Sequence, residues 1–140
     1  MRIFFLGSDE GNLPGFAFQC KEALEKLNHE VIYFNYRKLN FDKFRVGNKL
    51  LNKFILSKVL DANPDILIVI KGESIIPGVI DKISKNGVKT INWTLDDPFG
   101  KDYIFNKLNN ISEYDYFFVF DPFYLSELKE LNQKSFYLPC

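Results

Sequence analysis

Residues 65–100 read DILIVIKGESIIPGVIDKISKNGVKTINWTLDDPFG. The apolar run Ile66-Leu67-Ile68-Val69-Ile70 stops abruptly at Lys71-Gly72-Glu73-Ser74. A short helical pattern follows through Pro77, Val79, Ile80 and Ile83, and Asn86-Gly87 ends it, as glycine does after a helix. A second strand-like run, Val88 to Trp93, closes on Thr94-Leu95-Asp96-Asp97-Pro98. Strand, polar loop, helix, strand, polar loop is the order of a parallel α/β sheet. In such sheets ligands sit beyond the carboxyl ends of the strands. Position alone therefore makes Lys71, Gly72, Glu73, Asp96 and Asp97 candidate site residues.

The same alternation extends in both directions. Ile3-Phe4-Phe5-Leu6 reads as a first strand closed by Gly7, and Phe16, Cys20, Ala23, Leu24 and Leu27 form a helical stripe. Asn28-His29-Glu30 turns into a second strand, Val31 to Phe34. A second helix carries Val46, Leu50, Leu51, Phe54, Ile55 and Val59 and stops near Asn63-Pro64. Beyond residue 100 the pattern predicts a weak fourth helix over Asp102 to Leu108 and a fifth strand over Tyr116 to Phe120. A helix with Tyr124, Leu125, Leu128 and Leu131 leads to a sixth strand from Ser135 to Leu138. The unbroken run Ile66 to Ile70 predicts a strand covered on both faces. With right-handed crossovers, this pattern predicts an α/β, Rossmann-like, three-layer domain over residues 1–140. Its mainly parallel sheet has about six strands, in the expected order 3-2-1-4-5-6.

At 140 residues the chain has the size of one domain. Lys plus Arg equals Asp plus Glu at 18 each, which argues against a nucleic-acid binder that works through overall basic charge. No apolar run approaches the roughly 18–20 residues of a membrane span. The start, MRIFFLGSDEG, has too short an apolar run for a signal-peptide core. Cys20 and Cys140 show no metal or redox spacing, and a cytoplasmic setting is expected. The abundance of Phe (15 residues) fits compositional bias better than an aromatic ligand cage.

The strand ends carry the chemistry. Asp97-Pro98 and Asp121-Pro122 each stand between a strand and a helix, where Pro suits the first helical turn and Asp caps it. Capping thus accounts for Asp97 and Asp121. It does not account for Asp96, the better functional candidate. A metal at Asp96-Asp97 lacks a completing acidic cluster, so no metal is expected. The loop Gly7-Ser8-Asp9-Glu10-Gly11-Asn12-Leu13-Pro14-Gly15 could bring backbone to an anion, yet Asp9 and Glu10 would repel one and G-x-G-x-x-G is absent. Lys71 could bind phosphate or a sugar hydroxyl, and Gly72 permits close approach. Trp93 is either core or a rim for a sugar ring. His29 falls at the opposite, amino-terminal end of the sheet.

Leu27-Asn28-His29-Glu30-Val31 resembles the turn after the first helix of GT-B glycosyltransferases. Three further stretches resemble the CgeB-like glycosyltransferases, a family named for a spore-maturation protein. They are Ile70-Lys71-Gly72; Val88 to Trp93 with Asp96-Asp97-Pro98; and Tyr114-Asp115-Tyr116 through Asp121-Pro122. Tyr137-Leu138-Pro139 resembles the end of that family's amino-terminal domain. The resemblance implies a GT-B enzyme with its active site between two Rossmann-like domains, of which this chain is similar to the first, acceptor-side one. It implies a nucleotide-sugar donor as co-substrate, an unknown acceptor, a carboxyl-terminal nucleotide-binding domain as partner, and no cofactor held within this chain. On that reading Asp96 is the preferred base, Glu73 the second, and Gly7, Ser8, Gly11, Lys71, Gly72, Trp93 and Asp97 line the substrate side. The isolated chain is then expected to be inactive.

Three alternatives remain. A non-catalytic α/β domain that binds a sugar, nucleotide or protein fits the same strand ends. A receiver-like signalling domain is disfavoured because the third strand ends in Ile70-Lys71-Gly72 without a phosphoacceptor Asp. A nucleotide-dependent oxidoreductase is disfavoured by the missing glycine fingerprint.

Overall fold

The computed structural model describes residues 1–7, 9, 15–39, 45–100 and 110–139. Six parallel strands form one sheet: β1 Arg2–Gly7, β2 Glu30–Asn35, β3 Ile66–Ile70, β4 Lys89–Thr94, β5 Tyr116–Val119 and β6 Ser135–Tyr137. Among the described residues four α-helices accompany them: α1 Phe16–Lys26, α2 Arg45–Ala62, α3 Val79–Lys85 and α4 Leu125–Leu131. The architecture is α/β, Rossmann-like and three-layered. The helix expected over Asp102 to Leu108 lies outside the described residues. Among the described residues no helix is long and apolar enough to cross a membrane.

The strand order is 2-1-3-4-5-6, which corrects the expected 3-2-1-4-5-6. The reason is burial. In the expected order β3 would be an edge strand, whereas its Leu67, Val69 and Ile70 are among the most buried residues of the chain. An unbroken apolar run needs cover on both faces, and pairing β3 directly with β1 supplies it. The edge falls instead to β2, whose Val31, Ile32, Tyr33 and Phe34 are only half-buried.

The chain therefore reverses direction once, after β2. A right-handed crossover to β2 puts α1 on one face, and the right-handed return puts the later helices on the other. Phe4 and Leu6 of β1 and Leu67 and Val69 of β3 pack with Leu51, Ile55 and Val59 of α2, Ile80 and Ile83 of α3, and Leu128 of α4. The alternate residues Phe5 and Ile70 pack with Phe16, Ala17, Cys20 and Leu24 of α1. Leu27, Leu50, Phe54 and Leu131, placed on inner stripes by periodicity, are exposed.

Reversal between β1 and β3 makes their carboxyl ends the topological switch point of a doubly wound sheet, where such folds bind ligands. Both loops flanking it were singled out by the sequence.

Candidate functional site

The loop from Lys71 to Gly78 leaves β3 through two left-handed residues, Lys71 (φ 64°) and Gly72 (φ 88°). Glycine tolerates that conformation; lysine adopts it at a cost of about 1 kcal/mol or more. The strain is held by side chains from four separate segments. Tyr36, in the 3-10 turn Tyr36–Leu39, donates to the Ile70 carbonyl at 3.5 Å and to Glu73 Oε2 at 2.9 Å. Asn92 of β4 donates to the Lys71 carbonyl at 3.0 Å. Asn52 of α2 donates to the Ser74 carbonyl at 2.7 Å and accepts from the Ile76 amide at 3.0 Å. Asn110 donates to the Ile75 carbonyl. Glu113 takes the Gly78 and Asp81 amides at 2.8 and 3.2 Å, capping α3 from a distant part of the chain.

Asn52, Asn92 and Asn110 are buried to within a few per cent, so each satisfies backbone groups that water cannot reach. The loop has no regular structure, yet its Lys71, Ile75, Ile76 and Gly78 amides and its Lys71, Gly72, Ser74, Ile75 and Ile76 carbonyls all have partners. A surface loop held this way is preorganised to present its outward side chains.

Those side chains are the predicted ones. Lys71 Nζ pairs with Asp96 Oδ2 at 3.0 Å, joining the carboxyl ends of β3 and β4. Glu73, two residues on in the same loop, is oriented by the Tyr36 phenol. The structure thus brings Lys71 and Asp96 together, with Gly72 and Glu73 on the same loop as Lys71. Asp97 Oδ1 accepts from the Phe99 amide at 2.8 Å in a turn, whereas Asp121 Oδ1 accepts from the Phe123 amide at 2.8 Å as the expected N-cap, here of the short 3-10 helix Pro122–Tyr124. Trp93 lies on the α1 face, edge-on to Phe16 with ring centroids 5.0 Å apart, and its Nε1 donates to the Leu138 carbonyl at 3.2 Å. It is part of the packing.

On the β1 side the glycines have internal reasons. Gly7 is buried, and a Cβ there would lie 2.6 Å from the Tyr33 ring. A Cβ on Gly15 would run into the carboxylate of Asp9. That carboxylate accepts from the Ala17 amide at 3.0 Å and the Phe18 amide at 2.9 Å, in the first turn of α1, and from Tyr33 Oη at 2.6 Å. Burial, the hydrogen bond to Asp9 and the Asp9 charge push the Tyr33 phenol well above its ordinary value. Ser8 and Gly11 lie outside the described residues.

Sequence reasoning missed Tyr36, Asn52, Asn92, Asn110 and Glu113. Only Asn92 left a signal: Thr90-Ile91-Asn92-Trp93-Thr94 puts a polar residue at every second position of a buried strand. At the opposite end of the sheet, Glu113, Asp115, Asn132 and Lys134 line an open hollow of about 340 Å³. Its Asn132 amide is already spent on the Ile111 and Tyr114 carbonyls. Among the described residues no group of three or more His, Cys, Asp or Glu is placed to hold a metal. No family model, curated protein or solved structure matches the chain.

Proposed function

We propose that this chain is the acceptor-side domain of a glycosyltransferase that uses a nucleotide-sugar donor. The observation that carries the reading is the preformed loop at the carboxyl end of β3, in which Tyr36 fixes Glu73 and Lys71 pairs with Asp96. Glycosyl transfer needs a carboxylate to take the acceptor hydroxyl's proton and fixed groups to orient that hydroxyl. In this reading Asp96 takes the proton, Lys71 holds the Asp96 carboxylate in place, and Glu73 hydrogen-bonds a second hydroxyl. The donor is held by a second domain, and the 140-residue chain alone binds without turning over.

Amide NMR of the chain with neutral monosaccharides and nucleotide-sugars tests this directly. Saccharide-dependent shifts at Gly72, Glu73 and Asp96 are expected; silence there at high millimolar sugar removes the reading. In a two-domain enzyme that carries this chain, Asp96→Asn should lower turnover by about a hundredfold or more. Near-normal turnover would remove Asp96 as the base.

A non-catalytic sugar- or nucleotide-binding domain is the second reading. The Lys71–Asp96 ion pair favours it, because a carboxylate neutralised by a lysine is a poorer base than a lone one.

A further inference from the structure

We propose that Asp9 is a specificity determinant: an internal anion that fills the amino-terminal end of α1 and keeps anionic groups away from the β1–β3 switch point. This rests on the acceptor-side reading above and narrows it, to an acceptor that is neutral or cationic where it meets this domain.

A helix that starts beside a switch-point crevice ordinarily offers its first amides, and the positive end of its dipole, to a phosphate or carboxylate. Here that position is taken. Asp9 places one oxygen on the Ala17 amide and the other on the Phe18 amide, the geometry a phosphate would use. Tyr33 from β2 adds a third donor at 2.6 Å, and Asn35 Nδ2 fixes the Asp9 main-chain carbonyl at 2.9 Å. Gly15 provides the room, since any side chain there would collide with the carboxylate. Three donors, two from α1 and one from β2, thus serve one internal anion, and a fourth group on β2 fixes its backbone.

An incoming phosphate would have to expel that carboxylate and break three hydrogen bonds. It would also meet Glu73, Asp96 and Asp97 at the neighbouring strand ends. Of the cations at the strand carboxyl ends, Lys71 is already paired with Asp96, and Arg37 and Lys38 belong to the 3-10 turn that follows β2. Hydroxyl and amino groups meet no such penalty.

The test is an amide NMR titration of the whole chain with inorganic phosphate. In the wild-type protein the Ala17 and Phe18 amides are expected to show no saturable shift. In Asp9→Ala they are expected to bind phosphate at least about tenfold more tightly. Saturable phosphate binding at those amides in the wild type overturns the proposal, as does a folded Asp9→Ala protein with no gain. Should that variant fail to fold, Asp9→Asn, which keeps an oxygen on the helix without the charge, decides instead. A several-fold gain supports the proposal, and no gain overturns it. Phosphate reads the α1 end, whereas neutral sugars read Gly72, Glu73 and Asp96, so this proposal and the glycosyl-transfer reading fail separately.

Discussion

Gly72 shows how tightly this site is built at the level of single atoms. Its φ of 88° already excludes most side chains. A Cβ there would also stand 3.0 Å from Asn92 Nδ2, 3.1 Å from Val69 Cγ1 and 3.3 Å from Tyr114 Oη. Gly72→Ala should therefore cost about 1–3 kcal/mol in denaturant unfolding, since both conformation and space oppose the methyl group. An unchanged midpoint would mean that the loop shifts freely, contrary to its hydrogen bonding. Asp115, at the other end of the sheet, makes a different test. Burial alone would raise its carboxyl, but hydrogen bonds from Lys89 and from the Thr90 amide and hydroxyl outweigh that and hold it below the ordinary 3.8. A carboxyl depressed in the folded state stabilises the fold above its unfolded value and loses that contribution as pH falls through the folded one. Asp115→Asn is thus expected to lower the urea midpoint at neutral pH and flatten its decline below about pH 4. An equally steep acid limb in wild type and variant would acquit Asp115.

At the scale of elements, the segment from Lys71 to Gly78 behaves as structure without being helix or strand. The Lys71, Ile75, Ile76 and Gly78 amides all have acceptors between 2.8 and 3.1 Å. Hydrogen exchange should accordingly protect the loop's bonded amides nearly as well as those of β3, where an ordinary surface loop would exchange at once. Asn52→Ala should release Ile76 first, because Asn52 Oδ1 is its acceptor. Rapid exchange of Ile76 in the wild type would refute preorganisation. The sequence announced this loop only in part. Its polar tip was legible because an apolar run ends sharply at Lys71, and the turn at Asp97 and the cap at Asp121 because Asp-Pro is a local signal. The scaffold was not legible, since Tyr36, Asn52, Asn110 and Glu113 reach the loop from 22 to 37 positions away along the chain. Strand order failed for a related reason. Val31 to Phe34 is as apolar as a central strand, and only three-dimensional pairing shows that it is half-buried at the edge.

The whole molecule is asymmetric about its sheet. Among the described residues, eighteen buried side chains form the core on the side of α2, α3 and α4, against three on the side of α1. The later crossovers all run the same way, so α1 alone among the described helices covers the second face. Phe136 of β6, in tilted ring contact with Phe118, stays 46% exposed. Buried apolar area sets how much each layer resists opening, at roughly 25 cal/mol per Å². The α1 layer should therefore detach at a lower free energy than the rest of the fold unfolds. Cys20 reports this directly: it sits on the inner side of α1, and burial together with the Asp9 charge raises its thiol and suppresses reactive thiolate while the helix is docked. In a Cys140→Ser background, Cys20 labelling is expected to run faster than global unfolding permits, with a weaker urea dependence, because opening α1 exposes less surface. Asp9→Ala should accelerate it further by removing the anion that holds the start of the helix to β2. Labelling that tracks global unfolding in rate and urea dependence would show instead that α1 and the larger core unfold as one unit.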